Sequence, residues 1–70
     1  MRIVEITREP VELYKILKFE GLVTTGGEAK LLIAEGLVTV NGETETRRSR
    51  KMLGGDIIEF RGDQLQLRLV

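Results

Sequence analysis

The chain has 70 residues, with 11 lysines and arginines balancing 11 aspartates and glutamates, and it contains neither cysteine nor histidine. That composition excludes disulfide frameworks, Cys/His zinc sites and any triad or acid–base pair built on histidine. The length suits a single domain over residues 1–70, near the lower limit for an unstapled core, and the apolar runs are too short to span a bilayer. The opening MRIVEI has no signal-peptide h-region, so the chain reads as cytoplasmic with no membrane partner.

Residues 1–6 alternate, with Val4 and Ile6 on one face and Ile3 and Glu5 on the other, and predict a short strand. Pro10 suits the first turn of a helix, where its missing N–H is not needed. Leu13, Ile16 and Leu17 form the buried stripe of that helix, which runs for about three turns and ends at Gly21. Thr25-Gly26-Gly27-Glu28 is a capping box, with a hydroxyl at N-cap and a carboxylate at N3, and it opens a second helix whose stripe is Ala29, Leu32 and Ile33. Gly36 is placed to end it. Val38-Thr39-Val40 then reads as a strand running into a type I′ turn at Asn41-Gly42, with a return through Glu43 to Thr46. A strict two-residue hairpin would set Glu45 opposite Val38, so a bulge or an early departure from the ladder is expected. Gly54-Gly55-Asp56 marks a turn, Ile57 to Arg61 a strand and Gly62-Asp63 another turn. Leu65, Leu67 and Leu69 alternate with polar residues in a final strand. Phe19 and Phe60 read as core residues rather than stacking platforms. The two helical stripes need a covering layer, which gives an α+β class: a helix pair packed on a small, mostly antiparallel sheet.

Charge is unevenly distributed. Residues 1–46 carry five cations against eight acids, while residues 47–70 carry six against three. Four of those six, Arg47, Arg48, Arg50 and Lys51, fall within five residues. A polyanion responds to potential within about 8–10 Å, so a neutral chain with such a dipole remains a candidate for nucleic acid. Against that stands the plainer reading of a solvated face paired with Glu43, Glu45 and Asp56, or of an adaptor whose basic segment docks on an acidic protein. Gly26-Gly27 bares backbone N–H groups that could hold a phosphate, although Glu28 caps the same terminus. No Walker spacing is present. No carboxylate or lysine pair is spaced for catalysis, so no enzyme activity, cofactor, metal or small-molecule substrate is expected.

The succession of a helix, Gly21-Leu22, Thr25, Glu28-Ala29-Lys30, Leu32-Ile33, Gly36, Val38, Val40-Asn41-Gly42 and Gly55-Asp56 resembles the S4 RNA-binding domain over roughly residues 11 to 60. Short, stand-alone bacterial S4-like proteins are the nearer likeness, carried by VELYKILKFEG and by the IAEG, VNG and ETR segments with a basic run behind them. The resemblance implies an αL motif, a helix pair with an adjoining β turn, that presents a surface to structured RNA such as ribosomal or transfer RNA. Typical members begin the first helix with Arg-Leu-Asp and the second with Ser-Arg, where this chain has Glu12-Leu13-Tyr14 and Thr25-Gly26. Lys30 matches a family cation, and the basic run reads as the replacement for the missing ones. The expected phosphate contacts are therefore Lys30, Arg47, Arg48, Arg50 and Lys51, with Thr25, Gly26, Gly27, Lys18 and Asn41 as secondary ones.

Overall fold

In the computed structural model, which describes all 70 residues, the opening alternation forms strand β1 (Arg2–Ile6), with Val4 and Ile6 buried. Pro10 lies outside the first helix, contrary to the sequence expectation. Val11 and Glu12 instead form a short strand, β2 (Val11–Glu12), and α1 (Leu13–Phe19) starts only after it, so the helix has two turns rather than three. The reason is tertiary: Val11 and Glu12 pair with β5 (Lys51–Met52), which holds them extended.

Leu13, Ile16 and Leu17 are buried as the periodicity predicts. Phe19 is not a core residue. It sits more than a quarter-turn from the centre of that stripe and is 71% exposed, whereas Phe60 is buried. The helix ends in a Schellman motif: Gly21, at φ 73°, donates to the Lys18 carbonyl and Leu22 donates to that of Leu17. Helix α2 (Gly26–Ala34) opens on the Thr25 cap, whose hydroxyl accepts from the Glu28 N–H at 3.0 Å, and it closes with the same motif at Gly36 and Leu37.

Strand β3 (Val38–Val40) turns through Asn41 (φ 52°) and Gly42 (φ 84°) into β4 (Glu43–Thr44), the type I′ geometry expected. The ladder stops after Thr44, and the last bond in this direction runs from the Glu45 N–H to the Val38 carbonyl. Beyond β5, strands β6 (Ile57–Phe60) and β7 (Asp63–Leu69) form a second tight hairpin. Its central residues are Arg61 (φ 51°) and Gly62 (φ 82°), one position earlier than the sequence suggests, because Phe60 and Asp63 pair and leave only those two to turn.

The main sheet has the order β1-β7-β6-β3-β4, with β1 parallel to β7 and the other neighbours antiparallel. The two helices pack on it around one cluster of 16 buried side chains centred on Leu13, Leu17, Ile33, Met52, Ile58 and Leu65.

Candidate nucleic-acid interface

The basic segment is held across the start of α1 by the backbone. A helix leaves its first N–H groups without internal partners. Here the Leu13 N–H donates to the Arg50 carbonyl at 3.0 Å and the Tyr14 N–H to the Arg48 carbonyl at 3.1 Å. The β2–β5 pairing, with Glu12 opposite Lys51, extends the clamp. Residues 48–52 therefore have a fixed path, which a loop tethered only at its ends would lack.

Glu45 organises the side chains of this segment. It is the only buried charged residue, and its carboxylate accepts four hydrogen bonds. Arg47 supplies three, a side-on pair through Nε and Nη2, both at 3.0 Å, and its own backbone N–H at 2.9 Å. Arg50 Nη1 gives the fourth at 2.9 Å. The Arg47 guanidinium foremost, followed by the Arg47 N–H and Arg50, lowers the Glu45 pKa from 4.5 to about 2. Departure from the ladder after Thr44 thus has a chemical reason. Glu45 occupies the inward position opposite Val38, and two arginines satisfy its charge there.

The four expected cations therefore divide into two pairs. Arg47 and Arg50 are engaged by Glu45, whereas Arg48 and Lys51 are exposed and form no ion pair. The plainer reading of the run as an acid-paired face holds for half of it. Glu43 and Asp56 take no part: Glu43 forms no ion pair, and Asp56 accepts from the Leu53 N–H and from Asn41. Lys30 stands 4.8 Å from the ring centroid of Tyr14, and that ring also lies against Gly26 at the start of α2. Through Tyr14, whose N–H is bonded to Arg48, the basic segment, the first turn of α2 and Lys30 come together at one junction.

The expected secondary residues fare differently. Thr25 is occupied as the α2 cap, and Gly27 lies exposed beside it. Asn41 uses both ends of its amide inside the fold: Nδ2 donates to Asp56 at 3.0 Å, and Oδ1 accepts from the Ile57 N–H at 2.9 Å. Lys18 is exposed without an ion pair, away from the capped start of α1. Sequence reasoning missed Tyr14 and Lys15. Lys15 pairs with Glu12 at 3.2 Å and lies 6.0 Å from the Tyr14 ring centroid, and only the Glu12–Lys15 spacing was visible beforehand. Glu12 stays firmly charged, its pKa lowered first by Lys15 and then by Ser49.

The S4 domain model matches residues 4–68. The chain belongs to the S4 domain family. Over 57 residues it is 44% identical to a protein of Escherichia coli (strain K12) named "Putative RNA-binding protein YbcJ", with 81% of each chain covered, and YbcJ of Shigella flexneri matches to the same extent. The solution structure of E. coli YbcJ, described as revealing an αL motif involved in RNA binding, superposes with a TM-score of 0.74 at 39% identity. That match covers 97% of this S4 chain and 87% of YbcJ.

Proposed function

We propose that this S4 domain binds structured RNA, of the ribosomal or transfer class, chiefly through phosphates. S4 membership and the RNA-binding description of YbcJ support RNA as the ligand. The observation that carries the mode of binding is the pair of exposed, ion-pair-free cations Arg48 and Lys51 on a backbone clamped to α1, with Lys30 over the ring of Tyr14 in that helix's first turn. Cations on a clamped backbone meet phosphates without first losing loop freedom, and an arginine fork suits phosphate oxygens. Arg47 and Arg50 act mainly by holding the segment and add their remaining donors to its positive field. Gly26 and Gly27 offer backbone N–H groups to a phosphate at the same junction. A cytoplasmic setting goes with this role.

The test is the double reversal Arg48→Glu with Lys51→Glu, titrated against a folded RNA. Arg50 is left intact because it holds Glu45. Binding should be lost while the circular dichroism spectrum is kept. Undiminished affinity would refute the assignment, and a partner that stays bound after ribonuclease treatment would identify a protein adaptor instead.

A further inference from the structure

A surface groove of about 590 Å³ lies between β1 and α1, walled by residues 4–7 on one side and by the outer face of the helix on the other. Tyr14, Gly26 and Lys51 also line it, so it is continuous with the basic interface. Phe19 belongs to this groove and is 71% exposed. An isolated exposed phenylalanine needs no explanation, but this one shares a groove with four cations. The lining holds four cations, Arg8, Lys15, Lys18 and Lys51, against three acids, Glu5, Glu12 and Glu20. Lys15 pairs with Glu12, and Glu20 is engaged by Arg2 from outside the groove, so Arg8, Lys18 and Lys51 carry no ion pair. The groove thus combines a free aromatic face with surplus positive charge, the two features by which proteins hold single-stranded nucleic acid.

We infer that this groove takes an unpaired stretch of RNA continuing from the folded part held at the basic segment, with one base stacked on Phe19 and its phosphates beside Lys18 and Arg8. The inference rests on the RNA-binding reading and adds a second class of ligand structure to it. A volume of this size accommodates a drug-sized group, which is the scale of a nucleotide. The free edge of β1 could also receive a peptide strand, but the charge surplus favours a polyanion.

The experiment uses the full chain and two RNAs: a blunt-ended hairpin, and the same hairpin with a short single-stranded extension carrying 2-aminopurine, prepared in 5′ and 3′ versions. Stacking of one base should raise affinity for one extended version by about fivefold to 100-fold and quench the probe. Phe19→Ala should remove that gain, Phe19→Trp should keep it, and both should leave blunt-hairpin affinity and the thermal midpoint unchanged, since the ring is exposed. Lys18→Glu should reduce the gain. If the blunt hairpin binds but neither extension adds affinity, the groove assignment fails and the basic interface stands. Failure to bind any of these RNAs overturns both. Equal losses on blunt and extended RNA in Phe19→Ala overturn the groove assignment, as does protection of β1 by a protein that copurifies after ribonuclease treatment.

Discussion

Replacing Glu45 by glutamine tests whether the basic segment is ordered by a buried charge. The substitution keeps the volume and one acceptor but removes the charge on which Arg47 and Arg50 converge. Lowering the carboxyl pKa from 4.5 to about 2 corresponds to at most about 3 kcal/mol of folding stability. The Arg47 side chain is 74% exposed, so solvent screening brings the expected loss to about 1–2 kcal/mol. For a domain of this size that lowers the thermal midpoint by about 5–15 °C. The pH dependence is more specific. Because the folded carboxyl titrates below its unfolded value, its stabilisation is complete above about pH 5 and is lost as pH falls towards 2. Urea unfolding at a series of pH values should show wild type more stable than Glu45→Gln at pH 7, with the two curves converging in acid. Equal stability at pH 7, or a gap that persists at pH 2, would refute the reasoning.

With about three phosphates neutralised, by Arg48, Lys51 and Lys30, log affinity for folded RNA should fall against log salt with a slope of about −2 to −3, and a flat response would remove the electrostatic mechanism. Asn41→Gly keeps a residue that tolerates positive φ but deletes the amide between the β3–β4 turn and Asp56. It should lower stability by about 1–2 kcal/mol in chemical denaturation. RNA affinity should be unchanged, and a selective loss of affinity would place Asn41 in the interface.

Much of this architecture was legible because local rules and tertiary packing agree. The Thr25 N-cap, the glycines ending both helices, the Asn41-Gly42 turn and the alternation of Leu65 and Leu67 each depend on neighbours only a few residues away. What stayed hidden depends on residues distant in sequence. Pro10 suits a helix start, but the pairing of Val11 and Glu12 with Met52 and Lys51 keeps the residues after it extended. The division of the basic run was hidden for a related reason. Sequence showed Glu45 among several nearby acids, but its burial opposite Val38 is what draws in Arg47 and Arg50 and leaves Arg48 and Lys51 free. Phe19 is hydrophobic, which points it to the core, but its angular position on a short helix points it to solvent.

The parallel pairing of β1 with β7 has a consequence for the order in which the molecule opens. Every rung of that ladder joins residues 63 positions apart, and β1 has no other strand neighbour. Closing so long a loop is entropically costly, whereas α1 and α2 meet across a short connection. We expect β1 to form late and detach first, so that its amides exchange with solvent sooner than those of the helices. The wall of the groove beside Phe19 would then yield while the clamp at Arg48 stays closed, making the two parts of the binding surface separable in time. If β1 amides are instead as protected as those of α2, the molecule opens as one unit.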